Sequence, residues 1–379
     1  MTTSAVRLDV PFVDLKAQYR SIKDEVLDTV SRVFDSGHFV GGEYVEKFEE
    51  EFARFTGAKY AVGMSSGTSA LELALKAADI GPGHEVIVPA NSFFATAEAV
   101  SNIGATPVFA DVDPKTFHLD VASVECRITK KTRAIVPVHL YGYAMDLTAL
   151  EQLCERHSLE LIEDAAQAQG IGRNGVKVGG SGRLTCFSFY PGKNLGAYGD
   201  AGAITCNDLD RVQKIRILRE HGSPTKYRHS VVGTNARLDA VQAAILSVKL
   251  PYLSNWNSLR VRHAKSYATG FADSNVGVPA IPADGEHNFH LFVVRVANRD
   301  AVKKHLQESG IQTGIHYPVP LHLTDAYQAL GHPKAGSMPV TEKLAGEILS
   351  LPMFPELSSA QIEYTMETVR DVCKGRDVR

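Results

Sequence analysis

The chain is poor in several things that would otherwise fix its class. Cysteine is one: Cys126, Cys154, Cys186, Cys206 and Cys373 are five in 379 residues, an odd number with no Cys-x-x-Cys pair. Scattered thiols of this kind fit a reducing compartment and exclude a disulfide framework or a thiolate zinc centre. Glycine (31) and proline (17) are too few for a low-complexity chain, and no Gly-X-Y period runs through it. Neither sign of charge dominates: 40 Lys+Arg against 43 Asp+Glu give −3, which offers no clustered positive surface for a nucleic acid. No run of about 18 apolar residues exists to cross a bilayer. Met1–Val10 also lacks the basic start and apolar stretch of a secretion signal. The expectation is a cytoplasmic protein that binds neither nucleic acid nor membrane. What is present is ordinary: 44% hydrophobic and 22% charged residues exclude extensive disorder.

Length and periodicity divide the chain. Short Val/Ile-rich runs at 85–89, 106–110, 133–137 and 159–163 read as strands. Between them, 68–78 places Leu71, Ala74 and Leu75 on one helical face, and 146–157 does the same with Leu147, Leu150, Leu153 and Cys154. Alternation of this kind predicts an α/β unit over about 55–250, with a mostly parallel central sheet covered by helices on both faces. After Leu250-Pro251 the texture becomes α+β: helical patterns at 259–273 and 300–309 bracket a strand-like 290–295. The expected domains are therefore 1–250 and a smaller one, 251–379, with the amphipathic 17–34 packing near the latter.

Four stretches carry candidate chemistry. In Ser188-Phe-Tyr-Pro-Gly-Lys-Asn-Leu-Gly196, Pro191-Gly192 forces a turn after a strand end, which would aim Lys193 into a cleft. A surface lysine on a glycine-rich loop is the plain alternative. A P-loop is excluded, because the pattern needs Gly at 187 and Ser or Thr at 194, where Phe187 and Asn194 stand. In Leu161-Ile-Glu-Asp-Ala-Ala-Gln-Ala-Gln169 an apolar strand delivers Asp164 at its C-terminal end, where ligands gather in open α/β sheets; a helix N-cap is the alternative. Gly63-Met-Ser-Ser-Gly-Thr-Ser-Ala70 leaves backbone N–H groups at a helix N-terminus, a phosphate site or simply a Ser-capped helix. Phe93 follows the strand ending at Pro89, fit to stack on a planar ring or to fill the core. His118, His139, His157 and His229 have no metal-ligand spacing and read as surface or loop residues, so no metal is expected.

Phosphate cradle, ring stacker, acid and lysine, in this order, spell pyridoxal 5′-phosphate chemistry. With Phe12-Val-Asp-Leu15, Ser36-Gly-His-Phe-Val-Gly-Gly42, Gly233-Thr-Asn-Ala-Arg-Leu-Asp239 and His316-Tyr-Pro318, the chain resembles the DegT/DnrJ/EryC1/StrS sugar aminotransferases nearly end to end. That resemblance implies fold type I of the pyridoxal-phosphate enzymes and transfer of an amino group from L-glutamate to a nucleotide-linked keto-sugar. It implies Lys193 as the covalent anchor and proton carrier, Asp164 on the pyridine nitrogen, Gln167 on the phenolic oxygen and Phe93 on the ring. Gly67, Thr68 and Ser188 would hold the phosphate, with Asn235 reaching it from the other subunit of a homodimer. Tyr190, Tyr227, His316, Tyr317 and His322 would line the sugar pocket. Gln169 departs from the family pattern, where many members carry His. The stretches 221–229, 233–239 and 248–252 look more like the enzymes acting at C-3 of a dTDP-linked 3-keto-6-deoxyhexose; C-4 keto-sugars and keto-inositols are the alternatives. A pyridoxamine-dependent dehydratase would carry His in place of Lys193. A non-catalytic regulatory protein on the same scaffold would be expected to lose part of the set.

Overall fold

The computed structural model describes residues 7–283 and 285–374; the first six residues of the segment read for a secretion signal lie outside them. The apolar runs form strands β1 (Tyr60–Met64), β2 (Glu85–Pro89), β3 (Thr106–Ala110), β4 (Thr132–Ile135), β5 (Glu160–Leu161) and β6 (Glu163–Asp164). The hairpin β7 (Gly172–Arg173) and β8 (Val176–Lys177) follows, then β9 (Thr185–Ser188) and β10 (Gly202–Cys206). Two four-stranded arrays, β3-β2-β4-β5 and β6-β9-β10-β1, meet where the chain runs through Ile162 from β5 into β6 and where Val138 bridges Asp164. Every pairing in this sheet is parallel except the two made by β10.

Side chains alternate across it with period two. Val86 and Val88 join Leu71, Leu75 and Val100 on one face, while Ile87 joins Leu150 and Leu153 on the other. Further along, Cys186 and Ile204 face the first cluster, whereas Phe187 and Ala203 pack with Phe48, Phe52 and Leu246. Helices thus cover both faces, and the crossovers that parallel strands require leave strand C-termini together at one edge.

A separate apolar cluster gathers β11 (Phe292–Arg295), β12 (Ile348–Leu351), Tyr267, Leu306 and Ile362, and takes in Val10 from the start of the chain. The helix Leu253–Gly270 belongs to both bodies: Leu253 packs with the sheet's helices, Ala264 and Tyr267 with the second cluster. The segment 17–34 meets the start of the 251–379 range, as expected, and the helix before it as well. Ile22 and Val26 rest on Ile245 and Trp256, and Val33 on Ala240 and Ala244, so it covers the helix Ala240–Lys249. That helix is apolar on opposite sides, with Ala243 and Leu246 turned to the core and its outer side left for a cover. No helix among the described residues is long and apolar enough to cross a membrane.

Candidate active site

At the strand C-termini lies a cleft of about 760 Å³. Its floor is set by two adjacent carboxylates with opposite surroundings. Glu163 accepts from His139 Nε2 at 2.9 Å and from Arg183 Nε at 2.9 Å. Burial alone would raise its pKa, but these partners outweigh it and hold it at about 2. Asp164, 4% exposed, points to the other side of the strand and lines the cleft. Its Oδ2 accepts from Thr96 Oγ at 2.8 Å and its Oδ1 from the Ala166 N–H at 3.1 Å. Burial nevertheless raises its pKa, since no cation bonds it directly.

Lys193 follows β9. Its N–H closes the Pro191-Gly192 turn on the Tyr190 carbonyl at 2.8 Å, and Ala197 N–H returns to Phe189 O at 2.7 Å, so the loop folds back on itself. A Cβ on Gly196 would stand 2.4 Å from Pro191 O, so only glycine fits there. Desolvation lowers the Lys193 pKa to about 8, against the opposing attraction of Asp164.

The helix Gly67–Ala77 starts at the cleft. Ser66 and Ser69 form a reciprocal cap, Ser69 N–H to Ser66 Oγ at 3.1 Å and Ser66 N–H to Ser69 Oγ at 3.0 Å. Gly67 and Thr68, whose N–H groups a helix cannot satisfy internally, line the cleft with Ser188. A Cβ at Gly67 would come within 2.7 Å of Ser188 Cβ, so glycine permits this approach of helix to strand.

Gln167 is clamped over the floor: its Oε1 accepts from the Tyr141 N–H and its Nε2 donates to Tyr317 Oη at 3.4 Å. Phe93, 55% exposed, lies 5.5 Å from the Tyr317 ring. His316 bonds Ser350 Oγ through Nδ1 at 2.8 Å and stacks on Phe12; burial, then the Lys193 charge, bring its pKa down to about 4. Tyr190 stands at the mouth, 59% exposed.

Three candidates lie elsewhere. His322 is fully buried, bonded through Nε2 to Glu342 Oε1 at 3.1 Å and 6.3 Å from the Phe109 ring. The short turn Leu321–Leu323 carries it into the core, not the cleft. Tyr227 is 83% exposed on the loop before Asn235 and does not line this chain's cleft. Asn235 is exposed outside it too, its backbone bridged to Glu220. His118 and His139, read as surface or loop residues, lie on irregular backbone but are buried, bonded to Tyr143 O and Glu163. No cluster that would hold a metal occurs among the described residues.

Sequence reasoning missed Thr96, Arg260, His290 and Asp200 on the cleft wall. Thr96 carries no local signal, since its role is the bond to Asp164, 68 residues away. Gln169 proves to be a brace: its Nε2 donates to Ala166 O at 3.1 Å and Ser188 O at 2.6 Å, tying the Asp164 turn to the end of β9.

A family model of the DegT/DnrJ/EryC1/StrS aminotransferases matches residues 20–370. The chain belongs to that family. Its cofactor is pyridoxal 5′-phosphate, and the donor set fits it: a helix N-terminus with Ser188 for the phosphate, a buried carboxylate with no bonded cation among the described residues for the pyridinium, and a lysine lining the same cleft. The chain is similar to the dTDP-3-amino-3,4,6-trideoxy-alpha-D-glucose transaminase of Streptomyces venezuelae, 44% identical, with 98% of each chain covered. The crystal structure of S. venezuelae DesV with a ketimine intermediate superposes with a TM-score of 0.95 at 44% identity, over 97% of this chain and all of that one. A Geobacillus stearothermophilus relative, 46% identical over 96% of this chain and 98% of its own, bears the name pleiotropic regulatory protein.

Proposed function

We propose that this aminotransferase moves an amino group from L-glutamate to a nucleotide-linked keto-sugar, at C-3 of a dTDP-3-keto-6-deoxyhexose, and works as a cytoplasmic homodimer. The observation that carries it is the convergence of Lys193, Asp164 and the Gly67–Thr68 helix end on one cleft. When bound, pyridoxal phosphate supplies a ring that accepts electrons from the substrate carbon losing its proton. Gly67, Thr68 and Ser188 bind the phosphate through N–H and hydroxyl donors, and Phe93 covers the ring face. Asp164 holds a proton on the pyridine nitrogen, an arrangement that favours its own charged form again. Gln167 orients the phenolic oxygen. Lys193 Nζ, readily neutral near pH 8, takes the proton from one carbon and returns it to another. Tyr190, His316 and Tyr317, which line the cleft, would meet the sugar, and the exposed Tyr227 and Asn235 would serve the cleft of a second copy.

The sugar assignment is supported by the S. venezuelae relative and by the 221–252 stretches. The dimer is supported by exposed Val231 and Val232 just before Asn235, and by exposed Phe34, Phe39 and Val40, the last bridged to Asp239 just after it. The name of the Geobacillus relative motivates one competing reading, a regulatory protein, which the intact catalytic set opposes. The test is to offer dTDP-3-keto- and dTDP-4-keto-6-deoxyglucose separately with L-glutamate and to locate the new amine by NMR. Amine at C-3 is expected. Amine only at C-4, or only on a UDP-sugar or keto-inositol, would replace the substrate, and no amine from any of them would favour the regulatory reading.

A further inference from the structure

Arg260 has no part in the scheme above, yet it lines the cleft while only 4% exposed. It belongs to the helix Leu253–Gly270, and its Nη1 donates to three carbonyls, Phe289 at 3.3 Å, His290 at 3.4 Å and Met353 at 2.8 Å. These bonds fix the guanidinium from one corner. Among the described residues Nη2 makes none, and Nε is buried without a partner. Among the described residues no carboxylate lies within 4.0 Å of it; Glu356 acts on it only from farther away and divides its field with Lys249, which is 1% exposed. A buried cation without a bonded anion is costly, and the cost persists where an incoming anion recovers it.

Its place says which anion. His290 Nδ1 donates to Oδ1 of Asn194, the residue after Lys193, at 3.1 Å. Burial, then the charges of Lys193 and Arg260, push that imidazole's pKa well down, and all three side chains line one cleft. A small molecule reacting at Lys193 therefore shares its cleft with Arg260. A nucleotide pyrophosphate, with a sugar on one side and a nucleoside on the other, is too bulky for a group so enclosed. It fits the open mouth, where Phe93 and Tyr190 are more than half exposed. A carboxylate next to the reacting carbon is compact enough, and Nη2 is left to donate a charge-assisted hydrogen bond to it. We infer that Arg260 is the anchor for the α-carboxylate of the amino donor. This rests on the aminotransferase reading and makes Arg260 a specificity-determining residue of one half-reaction only.

The plain alternative is a staple that merely ties the helix to the strands around Phe289 and Met353. Single-turnover measurements on the pyridoxal-phosphate holoenzyme separate the two, with L-glutamate in one arm and the amino-sugar product of the wild-type reaction in the other. Arg260→Gln should raise the half-saturating concentration of L-glutamate by about 30-fold or more, the loss of a charged hydrogen-bonded pair. The amino-sugar arm should change by no more than about 3-fold, with Arg260→Lys falling between. Wild type should reject L-glutamate α-amide, and Arg260→Gln should lose that discrimination. Equal losses in both arms, or a loss confined to the amino-sugar, would overturn the assignment. Should Arg260→Gln not fold, acceptance of the α-amide by wild type on a par with L-glutamate would overturn it alone. A wild-type protein inert toward both substrates would instead bring down the aminotransferase reading beneath it.

Discussion

Lys193 stands between two opposed influences, desolvation that favours the neutral amine and Asp164 that favours the ammonium, and the former wins to give a pKa of about 8. Only the neutral amine attacks an aldehyde, so capture of pyridoxal phosphate by the apoprotein should quicken roughly tenfold per pH unit below about 8 and level off above it. Asp164→Asn removes the attraction that keeps the ammonium, so the inflection should move to lower pH. Stopped-flow absorbance from pH 6 to 9.5 reads both, and an inflection near 10 would show an ordinary exposed lysine. Lys193→Ala should abolish covalent attachment, read by borohydride reduction and mass spectrometry, and lower turnover by about 10²- to 10⁴-fold or more. Both residues were legible in the sequence because each is tied to its neighbours in the chain, a Pro-Gly turn and an apolar strand end. Thr96 was not, because its meaning is a bond to a carboxylate 68 residues away. His322 was misplaced for the converse reason: a Pro/His-rich stretch does not reveal which way a three-residue turn faces each side chain.

Elements were legible where their period was strong. Helices 68–78 and 146–157 appear within two residues of expectation, and β2 and β3 at their expected bounds. Strand β10 escaped: Gly-Ala-Ile-Thr-Cys is short, buried on both faces and carries no alternation, and its antiparallel direction is a property of the sheet. The close approach of helix to strand at Gly67 was likewise invisible, since a glycine before Thr-Ser-Ala reads as a helix start. It makes a clear prediction. Gly67→Ala gains little helix propensity at a first-turn position, but its methyl meets Ser188 Cβ at 2.7 Å, and both belong to parts of the sheet and helix that cannot swing aside. Helix end and Ser188 should separate, and cofactor affinity should fall by about tenfold or more, as expected from the loss of one hydrogen bond to a charged group. Titration of apoprotein with pyridoxal phosphate, followed by fluorescence, measures it; unchanged affinity would place the phosphate elsewhere.

At the scale of the whole molecule, the proposed homodimer would complete each cleft with residues of the other copy. Asn235 and Tyr227 stand on an exposed loop outside it, beside apolar Val231 and Val232, of which Val232 is 94% exposed. A monomer would leave that surface in water, whereas the proposed two-fold pairing would bury it and bring each loop to the other copy's cleft. If Asn235 completes the partner's phosphate site, Lys193→Ala and Asn235→Ala homodimers are both dead, but for different reasons. In a mixed dimer one cleft combines both defects and the other combines wild-type Lys193 with wild-type Asn235. Random reassortment of equal amounts makes about half the dimers mixed, each with one good site of two, so about a quarter of wild-type activity should return. Subunit exchange is verified by tagging one variant and recovering the other with it. Proven exchange without recovered activity would mean that each cleft is completed by its own chain, and would leave the exposed loop as a dimer contact without a catalytic share.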